Sequence, residues 1–125
     1  MERHLISSGS PYKPAICFSR AVRIGDRVLV SGTAPIWPDG SVDPDPYVQT
    51  KRVLEIIGDA LHQAGADFSN VIRTRMFITN PNDQDAIGRA HGEVFSKIRP
   101  AATMLVVVGM LDARWKVEIE AEAVL

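Results

Sequence analysis

Trp115-Lys116-Val117-Glu118-Ile119-Glu120-Ala121-Glu122-Ala123-Val124-Leu125 is the stretch whose reading decides the fold. Apolar side chains fall on Trp115, Val117, Ile119, Ala121 and Ala123, and polar ones on Lys116, Glu118, Glu120 and Glu122. That two-residue period belongs to a strand buried on one face only. An apolar sheet face needs a covering layer, and two stretches of helical period supply it. In the first, Val53, Ile56, Ile57, Ala60, Leu61 and Ala64 recur at steps of three and four. Asp45 offers an N-cap, Pro46 suits the first helical position, and Gly65 is a natural stop. The second begins near Asn82 or Asp83, carries Ile87, Ala90, His91, Val94, Phe95 and Ile98 on one face, and ends by Pro100.

The remaining strands follow outward. Residues 20–24 and 27–32 are β-prone runs around Gly25-Asp26, a pair suited to a hairpin turn. Residues 71–79, VIRTRMFIT, read as a strand ending before Asn80-Pro81, and a short opening strand is expected at 3–7. Residues 33–46 hold four of the eight prolines and read as a loop. Residues 101–111, AATMLVVVGML, are almost continuously apolar between Pro100 and Asp112, which predicts a strand buried on both faces. The fold class is α+β, a mixed sheet with two helices on one face. Two helices cover one face only, so the other meets solvent or another chain, and the doubly apolar strand argues for another chain.

The totals bound the function. A length of 125 residues fits one domain, 1–125, and 46% hydrophobic with 23% charged residues is ordinary globular composition. A net charge of −1 without a basic cluster gives no footing for nucleic acid. Cys17 is the sole cysteine, so no intrachain disulfide forms. No apolar run reaches the length of a signal peptide core or a membrane span, so the expected setting is the cytoplasm, with no membrane partner. His4, His62 and His91 are too scattered to read as a metal triad. Cys17 is expected to be a packed thiol and His91 a core or interface histidine. Trp37 either lines a cleft mouth or caps the core.

Four segments carry a resemblance. The run 18–35, FSRAVRIGDRVLVSGTAP, the strand 71–83, VIRTRMFITNPND, the step Pro100-Ala101-Ala102-Thr103 and the closing 116–124, KVEIEAEAV, are similar in order and content to the Rid family. That family is also called YjgF-like or endoribonuclease L-PSP. The resemblance implies a chorismate-mutase-like fold whose three subunits join their sheets into a trimeric barrel, with small-molecule sites in the clefts between subunits. It implies hydrolysis of enamines and imines such as 2-aminoacrylate, with neither metal nor bound cofactor. It assigns Glu118 the catalytic place, as the glutamate that helps position the attacking water. It assigns Ser31, Gly32 and Thr33 to substrate binding beside Phe18, which keeps the ring of the family's tyrosine without its hydroxyl.

One position departs from the pattern. The family's carboxylate-gripping arginine is replaced by Ala102, and a methyl group cannot supply a bidentate, charge-assisted bond. The chain thus resembles an arginine-lacking branch. Thr103 offers a hydroxyl next to that gap, and Arg75 and Arg99 are the candidate replacement cations. Each candidate has a plainer reading. Glu118, Glu120 and Glu122 form the polar face of a strand, Thr103 follows β-propensity, and the arginines offset the glutamate row across the sheet. Two functions follow: a cofactor-free imine or enamine hydrolase on a metabolite other than 2-aminoacrylate, or a non-catalytic trimer that binds a metabolite or partner in the same clefts.

Overall fold

The computed structural model describes residues 1–7 and 17–125. Six strands form one sheet: β1 (Arg3–Ile6), β2 (Ala21–Ile24), β3 (Arg27–Thr33), β4 (Val71–Ile78), β5 (Ala101–Val106) and β6 (Val117–Val124). Among the described residues two helices, α1 (Pro46–Gln63) and α2 (Gln84–Phe95), complete the regular structure together with short 3-10 turns at Phe68–Asn70 and Pro81–Asp83. The strand order is β1-β2-β3-β6-β4-β5, antiparallel throughout except for the parallel β4–β5 pair.

Register assigns the faces. Thr74, Met76 and Ile78 of β4 sit opposite Ala121, Ile119 and Val117 of β6, and all are buried under the helices. Leu54, Ile57 and Leu61 of α1 and Ile87 of α2 fill the layer above them, each fully buried. Burial of one such side chain contributes roughly 1.5–3 kcal/mol, so this layer holds the sheet and helices together. The opposite face carries Arg73, Arg75 and Phe77 against Glu122, Glu120 and Glu118, and no helix covers it.

Local signals explain the element ends. Asp45 caps α1 through bonds from the Tyr47 and Val48 amides, Pro46 opens the helix, and Gly65 leaves it at φ +83. Arg23 of β2 donates to the Ala64 carbonyl at 2.7 Å, putting a cation at the negative end of the helix dipole. Gly25 takes φ +60 in the β2–β3 turn, as expected there. Past α2, the Arg99 amide donates to Phe95 O at 2.8 Å with φ +54, a left-handed exit forced just before Pro100.

A buried glutamine fastens the loops to this frame. Gln49, 1% exposed, donates to Asp43 O at 2.7 Å and Arg114 O at 2.9 Å, and accepts from the Lys116 amide at 2.8 Å. Trp37 lies under the guanidinium of Arg52, 4.2 Å from ring centroid to carbon, while Arg52 Nε donates to Ile36 O. That contact ties the proline-rich loop to α1.

Two expectations change. Within the single chain the stretch 101–111 is not a strand buried on both faces. Only Ala101–Val106 is strand, it is the last in the sheet, and Ala101, Ala102, Thr103, Leu105 and Val106 are exposed. The physical reason is that an apolar run reports a need for cover without saying which chain supplies it, and among the described residues nothing pairs with β5 beyond β4. Cys17, expected to be packed, is exposed with φ +63 where the chain enters β2.

His91 sits between α2 and β4, its Nε2 2.9 Å from Thr74 Oγ1 and its ring 4.6 Å from that of Phe95. Burial holds its imidazole below the ordinary value of 6.5. The unfolded chain therefore binds a proton near pH 6.5 that the folded chain refuses. The stability due to neutral His91 is complete above that pH and drains as pH falls below it. Urea unfolding between pH 7 and 5 is expected to show a steeper acid loss for the native chain than for His91→Gln, and parallel slopes would contradict it.

Candidate functional site

The site begins with an irregularity in β3. Val30 pairs with Ala121 and Thr33 with Ile119, so three steps on β3 span two on β6 and one residue bulges at Ser31-Gly32. The bulge brings Gly32 beneath the Glu118 carboxylate, where a Cβ at position 32 would meet Glu118 Oε2 at 3.0 Å. A side chain there would push the carboxylate away. Ser31 Oγ donates to Ser19 O at 2.6 Å and Thr33 Oγ1 to Ser31 O at 2.8 Å, which holds the bulge in shape.

Behind the bulge lies Arg20, only 9% exposed. Its Nη1 donates to Gly32 O at 3.0 Å and to Thr33 Oγ1 at 2.8 Å, and its guanidinium carbon is 5.7 Å from the centroid of the half-buried Phe18 ring. Burial pushes the Glu118 carboxyl above the ordinary carboxylate value, the nearby Arg20 charge pulls it down, and Glu120 pushes it up. A half-buried carboxylate with a raised proton affinity beside open backbone is suited to taking a proton from water.

The structure thus brings Phe18, Ser31, Gly32, Thr33 and Glu118 into one neighbourhood. The other sequence candidates stand apart. Thr103 lies beside Arg75 in the cross-strand row that continues to Glu120, two strands from β6 and so on the order of 10 Å away. Arg75 is not a free cation, because Nη1 binds Glu120 Oε1 at 2.8 Å. Ala102 pairs with Thr74, so alternation turns it to the helix side of the sheet, away from Glu118. Arg99 is exposed at the end of α2's exit. Ile16, which precedes Cys17 in the segment matched to the family's tyrosine step, lies outside the described residues.

Sequence reasoning missed Arg20. In Arg20-Ala21-Val22-Arg23 it reads as one more polar position of a strand edge, and its two acceptors become visible only once the bulge is placed. Also unforeseen is a concavity of about 260 Å³ on the open face, lined by Leu29, Arg73, Arg75, Glu120 and Glu122 among others. Arg27 and Glu122 meet at its margin at 3.2 Å, so its charges are largely spent on one another. Among the described residues no three His, Cys, Asp or Glu side chains converge as a metal would require, and no helix is long and apolar enough to cross a membrane.

A mixed sheet backed by two helices, with a half-buried carboxylate over a glycine bulge, defines an α+β protein. Residues 9–125 match the family described as endoribonuclease L-PSP. The structure superposes with a TM-score of 0.91 on a crystal structure from Mycobacterium tuberculosis of a member of the YjgF/YER057c/UK114 family. That chain is 39% identical, and the match covers 99% of this chain and 100% of that one. An uncharacterised protein of Streptomyces coelicolor is 43% identical over 94% of this chain and 89% of its own length. The 2-iminobutanoate/2-iminopropanoate deaminase of mouse is 31% identical over 86% of this chain and 80% of its own length. The chain belongs to the Rid/YjgF family.

Proposed function

We propose that the chain is a cofactor-free hydrolase of imines or enamines, acting on a small metabolite other than 2-aminoacrylate. The observation that carries this reading is the Glu118 carboxylate poised over Gly32, with burial raising its proton affinity. Water adds to the carbon of the C=N bond, which an enamine presents after tautomerising to its imine; Glu118 takes the proton that water gives up and passes it to the nitrogen, which becomes an amine. Collapse of that adduct releases ammonia and leaves a carbonyl, so one water is consumed for each ammonia formed. Phe18, Ser31 and Gly32 flank the substrate, and the fully buried Thr33 holds the bulge from behind. The likeness to a mouse 2-iminobutanoate/2-iminopropanoate deaminase supports the reaction class.

The rest of the site comes from a neighbouring copy in a cytoplasmic homotrimer. Support lies at the free edge of β5, where Leu105, Val106, Val108 and Leu111 are exposed in sequence next to Ala102 and Thr103. A strand edge flanked by apolar side chains is ready for another chain. In such a cleft Ala102, Thr103 and Arg99 of one copy face Glu118 of the next.

Ala102 favours the second reading, a trimer that binds a metabolite without turning it over, because the family's carboxylate grip is absent there. The assay separates the two. Imines generated in situ from several amino acids are followed by ammonia or keto-acid release, with light scattering on the same sample. Acceleration with at least one imine and a mass three times the 13.7 kDa of the single chain are expected. No acceleration with any of them ends the hydrolase reading, and a mass near 13.7 kDa ends the trimer.

A further inference from the structure

We propose that Arg20 is a positioning residue for Glu118: it ties the Ser31–Thr33 bulge into the shape that leaves the carboxylate room over Gly32, and it supplies that carboxylate's counter-charge. Three observations carry this. Nη1 is committed to the bulge through Gly32 O and Thr33 Oγ1, and Thr33 is itself fully buried, so the guanidinium is fixed rather than mobile. The backbone of Arg20 is fastened as well, its carbonyl accepting from the Ser31 amide at 2.9 Å and its amide donating to Ile6 O at 2.7 Å. Finally, its Nε is buried without a hydrogen-bond partner among the described residues, an arrangement that costs stability and that packing alone does not call for.

The surroundings leave Arg20 as the counter-charge. Glu118 is flanked along its own strand by Glu120, a like charge, and by Lys116, whose Nζ donates to Pro44 O at 2.6 Å; it is met on β4 by Phe77, which does not titrate, and on β3 by Gly32. Arg75 on β4 is held by Glu120 at 2.8 Å. No ion pair within 4.0 Å joins Arg20 to Glu118, so the charge acts across the bulge and leaves the carboxylate oxygens free for water. A cation placed so opposes the rise in proton affinity that burial imposes on Glu118. This deepens the hydrolase reading, on which it rests only for its bearing on turnover.

The test is a carboxyl-carbon NMR titration of the full chain labelled with 13C-glutamate, with the Glu118 signal assigned by its loss in Glu118→Gln. Arg20→Met is expected to raise the Glu118 pKa by about one unit, and Arg20→Lys to return it to within a few tenths of the native value. Arg20→Gln, whose amide can still donate to Gly32 O, reads the same quantity should the methionine variant not fold. A Glu118 that titrates alike with arginine and with a neutral residue at position 20 overturns the proposal. So does a lysine variant that shifts it as far as methionine does. The titration needs no substrate, so an inactive protein in the imine assay leaves it intact, and a null result here leaves the assay intact.

Discussion

Glu118→Gln is expected to lower the rate of imine hydrolysis by about 10²- to 10⁴-fold, the usual contribution of a positioned proton acceptor. Glutamine keeps the length and shape of the side chain above Gly32, so the bulge stays filled while the proton acceptor is lost. The same substitution separates catalysis from stability. Burial raises the folded-state affinity of Glu118 for a proton above its ordinary value of 4.5, so the folded chain binds more protons than the unfolded one just above that pH. Glu118 therefore costs stability above pH 4.5, increasingly so until pH passes its folded value, and costs nothing well below pH 4.5. Glu118→Gln should accordingly be no less stable than the native chain at pH 7, with the difference vanishing in acid. Steady-state rates and urea unfolding at pH 7 and pH 4 check both halves. An active, destabilised glutamine variant would show that Glu118 is a structural member of the strand's polar face.

Gln49→Leu should be the most damaging substitution among the polar core residues, costing about 3 kcal/mol and lowering the melting temperature on the order of 10 °C. Leucine fills a similar volume, so the loss is not a cavity. It leaves the Asp43 carbonyl and the Lys116 amide without the Gln49 side chain that meets them, and removes the bond from that side chain to the Arg114 carbonyl. These groups belong to the loop before α1 and the segment before β6, so both loosen together. Gln49→Glu makes a sharper control, because a carboxylate can accept from Lys116 N but cannot donate to two carbonyls. A melting curve for Gln49→Leu within 2–3 °C of native, roughly under 1 kcal/mol, would mean that water replaces the side chain at no cost.

Much of the frame was legible before any coordinates. The alternation in 117–124 gave β6 with its buried and open faces, and Asp45, Pro46 and Gly65 marked both ends of α1. These signals are local, each readable within a few residues. The reading failed where the answer depends on a distant partner. The run after Ala101 is apolar, but only the strand order puts it at a sheet edge, and Val108 and Leu111 follow it out of the ladder into the open. In the candidate site, Glu118, Gly32 and Phe18 were named from their segments. Arg20 was not, because what sets it apart from Arg23 or Arg27 is a pair of acceptors 12 and 13 residues on that face it only through the bulge. Gln49 was missed similarly, its partners lying 6, 65 and 67 residues away.

The bulge at Ser31-Gly32 also limits how this chain can change in length. Deleting one residue between Val30 and Thr33 would restore regular pairing with Thr33 still opposite Ile119, so the buried face stays in step while the bulge that seats Gly32 under the Glu118 carboxylate is lost. The 34–44 connection has no ladder to keep in step. Length changes there therefore leave the ladder alone, whereas losing the one supernumerary residue of β3 spares the frame and removes the seat of the carboxylate.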